Sequence, residues 1–308
     1  MNIIKKNIAK PFVKWAGGKS QLINEIDKAI QKGENDKFTY IEPFVGGGAI
    51  LFWILENFPN LEKVIINDIN SDLITTYKTI RNNVFDLIKT LKIWETEYHV
   101  YKELPEERKV YYYKKRELFN SRTENNITHS ALFIFLNRTC FNGLYRVNSN
   151  NGFNVPIGSY KIPMICDEDN LLAVSKALQK VEILNGDFSK TLSYANSQTI
   201  FYLDPPYKPL SETSSFNSYS KDEFNDNEQI RLKEFCDKLE ILGYQWILSN
   251  SDVKGKNPED NFFDDLYQNY NITRVKARRN INANGEKRGE LNELLITNLS
   301  NINYVGAI

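Results

Sequence analysis

Residues 38 to 68 restrict the fold more than any other stretch of the chain. Phe38 to Glu42 reads as a short apolar strand. Gly46-Gly47-Gly48 turns it into an apolar helix that closes near Phe58-Pro59, and Val64-Ile65-Ile66 forms a second buried strand ending in Asn67-Asp68. A strand, a glycine turn, a helix and a second buried strand open a doubly wound sheet, with parallel strands and helices on both faces.

The alternation then stops and later resumes. From about Ser71 to Asn137 the chain is helical in pattern and rich in Tyr, Phe and charge. Thr139 to Lys161 is crowded with Asn, Gly, Ser and aromatic residues, which predicts loops with a hairpin around Asn150-Asn151-Gly152. The α/β rhythm returns with a helix from Glu168 to Gln179 and strands at Val181–Leu184 and Thr199–Leu203. A helix near Asn227–Leu242 feeds the strand Tyr244–Ser249, and Ile272–Val275 and Leu294–Thr297 close the sheet. An amphipathic start at Leu22, Ile23, Ile26 and Ile30 precedes all of this. The expected fold is α/β. A Rossmann-like sheet domain (1–70 and 166–308) carries an inserted, mainly helical domain with a β-hairpin (71–165).

Charge totals cancel, with 39 basic and 39 acidic residues in 308. Their distribution does not. Lys5, Lys6, Lys10, Lys14 and Lys19 precede the first acid, Glu25; no acid lies between Asn125 and Cys166; and Arg274 to Arg288 holds a further basic run. Three acid-poor segments could merge into one phosphate-contacting face, although solvated loops explain local charge runs as well. Cys140, Cys166 and Cys236 are widely spaced and only two histidines are present, so no zinc site is expected and the cysteines read as reduced thiols. No apolar stretch suggests a membrane span or a signal peptide, and the expected compartment is the cytoplasm.

Two glycine segments need sorting. Gly17-Gly18-Lys19-Ser20 ends like a phosphate-binding loop, but the first glycine of that motif is replaced by Val13. Gly46-Gly47-Gly48 lacks the third glycine of a dinucleotide fingerprint, where Leu51 stands. A ligand without phosphates needs only close backbone approach, which these glycines permit. Four carboxylates then fall at strand ends, where open α/β sheets bind ligands: Glu42, Asp68, Asp187 and Asp204. Such groups can accept from a ribose diol or an adenine amino group, or face a cation; each taken singly is more often a helix cap, and it is the four together that point to a ligand.

The most specific signal is Asp204-Pro205-Pro206-Tyr207. Two prolines after an apolar strand impose a rigid, extended exit that is rich in carbonyls and poor in amide donors. That suits an exocyclic NH2, a pure donor. The Asp204 carboxylate and the Pro205 carbonyl could each accept one of its hydrogens, and Tyr207 could stack on the base.

With these motifs in order, the chain resembles the Dam-type DNA adenine methyltransferases of the D12 class, α group, over nearly its whole length. Residues 12–19, with Trp15, Ala16, Gly17 and Lys19, look like the N-terminal cofactor motif. Glu42-Pro43-Phe44-Val45-Gly46-Gly47-Gly48 is similar to the glycine loop, Asn67-Asp68-Ile69-Asn70 to the ribose motif, and Gly186-Asp187-Phe188 to the adenine position. The resemblance implies S-adenosylmethionine as cofactor, bound by Trp15, Ala16, Gly17, Lys19, Glu42, Pro43, Phe44, Gly46, Gly48, Asp68, Asp187, Phe188 and Asp204. It assigns catalysis to Asp204, Pro205, Pro206 and Tyr207. Asn142-Gly143-Leu144-Tyr145-Arg146 and Phe153-Asn154-Val155-Pro156 resemble the hairpin that reads GATC. By that resemblance, Arg146 contacts a guanine edge, Leu144 and Pro156 touch bases, and Phe141 wedges into the stack where relatives often carry Tyr. Lys14, Arg138, Asn142 and Asn154 complete the expected DNA-contacting set, and residues 209–219 resemble a mobile loop beside the target base.

Adenine N6 sits inside the duplex stack, so the expected chemistry requires base flipping, which costs a few kcal/mol. Stacking on Tyr207, about 1–3 kcal/mol, partly offsets that cost. The expected partner is double-stranded DNA, with no metal and no membrane, for a monomer associated with the nucleoid through DNA. A companion restriction endonuclease is left open. The alternatives weighed are an N-methyltransferase acting on RNA or on a protein amide, an NTPase using Lys19, and a non-catalytic DNA-binding module.

Overall fold

The computed structural model describes residues 7–15, 22–30, 32–33, 35–208, 224–255, 257–278 and 290–299. Among them, seven strands form one sheet: β1 (Phe38–Glu42), β2 (Leu61–Ile66), β3 (Val181–Ile183), β4 (Thr199–Leu203), β5 (Gln245–Ser251), β6 (Asn271–Arg278) and β7 (Glu290–Thr297). Their order is β3-β2-β1-β4-β5-β7-β6. The first five are parallel, and β7 enters antiparallel between β5 and β6. The order reverses between β1 and β4, which puts a ligand crevice beyond their carboxyl ends.

The helices are α1 (Ile23–Ala29), α2 (Ala49–Asn57), α3 (Ser71–Val100), α4 (Pro105–Ser121), α5 (Asn126–Thr139), α6 (Glu168–Leu178), α7 (Asp226–Ile241) and α8 (Phe262–Leu266). Strand alternation divides the core in two. Phe38, Tyr40, Val64, Ile66, Ile200, Tyr202 and Ile247 pack with residues of α1, α2, α3, α5 and α6. Ile41, Ile65, Phe201, Leu203, Trp246 and Leu248 pack with residues of α7 and α8. Because the side-chain period in a strand is two, Asp204 and Ser249 continue the first face and Asn250 the second.

The insertion follows β2 directly. Asn70 caps α3 by accepting from the Leu73 amide at 3.0 Å, and the helix changes direction at Asn83, whose φ of −137° is non-helical. The segment that reads as continuously helical is three helices, because Pro105 starts α4 and Asn125 caps α5 through the amides of Ile127 and Thr128. One apolar cluster runs from the sheet through Leu73, Tyr77 and Ile80 into Leu132, Phe133 and Phe135. The start of α3 therefore packs with the sheet as well as with the insertion.

Residues 140–158 form the hairpin, held by isolated bridges instead of a continuous ladder: Cys140 with Ile157 and Val147 with Phe153. Backbone bonds from Phe141 to Pro156 and from Asn154 to Arg146 fill the gap between the bridges. Asn151 turns the tip with φ of 58°, a conformation Asn tolerates. The closing strands β6 and β7 are longer than their apolar cores suggest, since their antiparallel register extends pairing to Arg278 and Glu290.

Candidate active site

A cleft of about 2120 Å³ opens at the carboxyl edge of the sheet, beneath the hairpin. Glu42, Asp68, Asp187 and Asp204 all line it, as do the glycine loop, the tetrapeptide and the hairpin residues Phe141, Leu144, Arg146 and Pro156. The sheet topology thus brings together segments far apart in sequence, from Pro11 to Arg231.

The floor is stitched by Asn67, a buried side chain at the end of β2. Its amide donates to the Pro43 carbonyl (3.0 Å) and to the Gly186 carbonyl (2.9 Å), tying three strand exits together. Asp68 beside it accepts from the Gly46 amide (3.0 Å) and the Asn70 amide (2.9 Å). Two backbone bonds leave further acceptor capacity on a carboxylate. Gly48 has φ of 78°, and a Cβ there would fall 2.5 Å from the Tyr77 hydroxyl, which itself donates to the Gly46 carbonyl (3.0 Å). Trp15 lies against the same loop, 2.9 Å from where a Cβ on Gly46 or Gly47 would stand. The glycines are required by this close approach.

Glu42 is 2% exposed and accepts from the Tyr40 hydroxyl at 2.8 Å. Burial pushes its carboxyl well above the usual range, opposed by the Tyr40 bond and reinforced by the charges of Asp204 and Asp68. Burial likewise raises Asp68 against its backbone donors. Among the described residues neither has a basic partner within salt-bridge distance. Acids crowded in this way fit a ligand that is cationic and carries hydroxyl groups.

Asp187 behaves differently. Its carboxylate takes both guanidinium nitrogens of Arg231 (3.1 and 2.7 Å) and the Ser189 amide and hydroxyl. These bonds, led by Arg231, hold its pKa at about 2. Arg231 also pairs with Glu228 and lies 4.2 Å over the Phe188 ring. Phe188, Phe44 and Phe224 form an aromatic wall, with centroids 5.3 to 6.3 Å apart.

The tetrapeptide is pinned beyond its prolines. The Ser249 hydroxyl donates to Asp204 (3.0 Å), and the Tyr202 and Ser249 hydroxyls lie 3.1 Å apart. The buried Gln229 amide of α7 donates to the Pro206 carbonyl (3.2 Å) and is itself fixed by Asn250 (3.1 Å). The Tyr207 hydroxyl donates to Glu293 on β7 (3.0 Å), and burial pushes its pKa far above the usual tyrosine value. Among the described residues no donor reaches the Pro205 carbonyl. The turn therefore offers a fixed carboxylate and a neighbouring carbonyl, two acceptors suited to one amino group.

In the hairpin, the Arg146 Nε–H donates to Asn154 (2.7 Å) and its backbone carbonyl accepts from the Asn154 amide (3.1 Å). Asn154 thus orients Arg146. Phe141 is 44% exposed and Pro156 is exposed beside it, so both face the cleft at its outer rim. Asn142 has φ of 55°. Lys14 packs along Gly143 and donates to the Tyr160 hydroxyl (3.0 Å), which places its amine beside the hairpin. Ala16, Gly17 and Lys19, and the expected loop at 209–219, lie outside the described residues.

Arg138 lies apart from these residues. It does not line the cleft; its guanidinium reaches inward to the Phe12 carbonyl (2.8 Å), and its Nε is buried without a partner. It sits in the last turn of α5, where it lines a shallow pocket with Ile134, Ile165, Asp167 and Asn170. Arg138→Ala is expected to cost about 1.5–3 kcal/mol of stability, the worth of a charged hydrogen bond, in urea denaturation. The salt dependence of DNA binding should be unchanged, and a shallower dependence would restore Arg138 to the phosphate-contacting set.

The sequence matches the family described as D12 class N6 adenine-specific DNA methyltransferase over residues 15–281. The chain belongs to that family. It is 48% identical over 294 residues to the type II methyltransferase M.MjaIII of Methanocaldococcus jannaschii, covering 94% of this chain and 99% of the relative. It is 36% identical over 308 residues to the type II methyltransferase M1.LlaDCHI of Lactococcus lactis subsp. cremoris (98% and 100%). A DNA adenine methylase of Haemophilus influenzae is 37% identical over 287 residues (93% and 92%). The methyltransferase acts on DNA adenine, with S-adenosylmethionine as methyl donor.

Sequence reading missed several groups that shape this site. Ser249 was legible as the last residue of a strand reaching the same sheet edge as Asp204. Gln229, Arg231 and Glu293 carried no such signal, because their roles depend on how α7 and β7 pack against that edge.

Proposed function

We propose that the protein methylates adenine N6 within GATC after extruding the base from the duplex. The observation that carries this reading is the pairing of a fixed Asp204 carboxylate with an adjacent Pro205 carbonyl in a cleft below an arginine-bearing hairpin. S-adenosylmethionine supplies an electrophilic methyl group on a sulfonium. Glu42 and Asp68 would hold it by charge and hydroxyl contacts, with Trp15, Pro43, Phe44, Gly46 and Gly48 giving a close backbone approach. Asp187 and Phe188 would receive its adenine, together with Ala16, Gly17 and Lys19 of the N-terminal motif.

On the DNA side, Asp204 and Pro205 accept the two amino hydrogens of the target base. That keeps the nitrogen lone pair out of conjugation and aimed along one direction. Tyr207 stacks on the base, with Pro206 stiffening the turn between them. Because the reacting groups gain from orientation alone, the protein's contribution is positioning. Arg146 reads one guanine, Leu144 and Pro156 make apolar contacts, Phe141 fills the gap left in the stack, and Lys14 and Asn142 meet the backbone. The unit 71–165 acts as the reading domain and 1–70 with 166–308 as the catalytic one. A companion endonuclease, as the type II names of two relatives suggest, would make the modification protective.

Labelled methyl transfer to a GATC duplex and to a scrambled duplex tests the site preference; equal incorporation would refute it. Arg146→Ala is expected to lower discrimination at a single guanine by about 1–3 kcal/mol. Competition between the cognate duplex and duplexes substituted one pair at a time measures this, and an unaltered preference at every pair removes Arg146 from the reading set.

A further inference from the structure

Ser249 sits on β5, next to the strand that delivers the tetrapeptide, and is 0% exposed. It does not line the cleft, so it touches neither DNA nor cofactor. Its hydroxyl has one hydrogen, and that hydrogen is directed at the Asp204 carboxylate over 3.0 Å. The Tyr202 hydroxyl, 3.1 Å from the Ser249 oxygen, must then be the donor in the second bond. Tyr202, Ser249 and Asp204 all fall on one face of the sheet, as the strand period requires, so the chain of hydroxyls is built into the β4–β5 pairing.

The next residue completes a clamp. Asn250 points to the opposite face, where it fixes Gln229, and Gln229 fixes the Pro206 carbonyl. Consecutive residues of one central strand therefore hold the tetrapeptide from both sides of the sheet. The prolines limit the backbone, but they do not set the rotation of the Asp204 side chain. Rotation about χ1 and χ2 of that carboxylate is restrained by the Ser249 hydroxyl.

We propose that Ser249, with Tyr202 behind it, is the positioning residue of the reaction: it holds one oxygen of Asp204 so that the carboxylate plane faces the amino group of the target base. This rests on the reading of Asp204 as an acceptor of that amino group. Loss of the hydroxyl leaves Asp204 in place but removes this restraint on its carboxylate plane, so the cost falls on turnover and not on ligand binding. Misplacement of a catalytic group by a fraction of an ångström to 1 Å lowers rate by up to about a hundredfold.

The test compares Ser249→Ala, Tyr202→Phe and Asp204→Ala in single-turnover methyl transfer to duplex DNA. Dissociation constants for S-adenosylmethionine and for DNA are measured on the same proteins. Ser249→Ala is expected to turn over about 10- to 100-fold more slowly with both dissociation constants unchanged, and Tyr202→Phe to lose several-fold by the same pattern. Tyr202→Phe keeps the buried ring, so it decides the matter should Ser249→Ala fold poorly. Parental turnover in both variants beside an inactive Asp204→Ala overturns the positioning role and leaves the tetrapeptide reading standing. Parallel losses of turnover and cofactor affinity also overturn it, since a structural role alone would produce them. Methyl transfer retained by Asp204→Ala overturns both.

Discussion

Asp204→Ala is expected to abolish methyl transfer, by at least about a hundred- to a thousandfold, while the protein still binds S-adenosylmethionine. The size follows from what the carboxylate does. An amino group conjugated with a purine ring is a poor nucleophile, and two acceptors are needed to hold both hydrogens out of the ring plane. In the proposed mechanism Pro205 supplies one through a carbonyl that no described donor occupies, and Asp204 supplies the other. Removing one leaves the amine free to flatten. Binding of the cofactor is expected to survive because the glycine loop, Glu42, Asp68 and Trp15 are built on β1, β2 and the N-terminal segment, none of which the substitution alters. Quench-flow turnover with calorimetric cofactor titration separates the two quantities. A variant that keeps near-parental turnover would remove Asp204 from the chemistry.

Asp72→Ala should destabilise the protein by about 3–5 kcal/mol, the cost of leaving the Arg122 charge and two largely buried polar groups without their partner. Asp72 lies in the first turn of α3 and is buried. It accepts from Arg122, from His129 (2.9 Å) and from the Tyr145 hydroxyl (2.7 Å). Arg122 also donates to the Asn151 carbonyl at the hairpin tip (3.1 Å), and Tyr145 stacks on Trp15 with centroids 5.6 Å apart. One carboxylate thus joins α3, α4, α5, the hairpin and the tryptophan that abuts the glycine loop. Its loss should weaken sequence-specific DNA binding as well as stability, because Tyr145 precedes Arg146. Burial alone would raise its pKa, but the bonds from His129, Tyr145 and Arg122 outweigh it and hold the group low. A carboxyl lower in the folded state contributes stability that is complete above its unfolded value, about 3.9, and is lost as pH falls through the folded value. The gap between the parent and Asp72→Asn in denaturant midpoint should therefore narrow below about pH 4. A gap that is constant from neutral pH to pH 3 would show that Asp72 is not ionised in the fold.

Much of this architecture is legible in the sequence because the sheet obeys local rules. Short apolar runs mark the parallel strands, four of them with an acid at or just beyond the end, and the glycine triplet marks the first crossover. The resumption of the rhythm at Glu168 brackets the insertion. Pairing lengths are less legible: β6 and β7 extend past their apolar cores because register, not composition, sets where an antiparallel ladder stops. The hairpin tip at Asn150-Asn151-Gly152 was readable from turn chemistry, but the sparse bridging behind it was not. Among site residues, those on strand ends were visible and those acting through a second side chain were not. Asn154 was expected as a DNA contact, and its amide holds Arg146; Arg138 was expected in the same set, and its guanidinium closes on the Phe12 carbonyl. In both cases the deciding fact is which way a side chain leaves a packed element, and a single sequence does not carry that direction. The alternative of an RNA or protein amide substrate shares the tetrapeptide chemistry, and family membership favours DNA adenine.

A crystal structure of the protein with a GATC duplex and an unreactive cofactor analogue measures the decisive contact. The target adenine should lie outside the helix, with N6 about 2.7–3.2 Å from both the Asp204 carboxylate and the Pro205 carbonyl and its ring against Tyr207. An adenine still paired within the duplex, or an N6 held by other groups in a complete complex, would contradict the account.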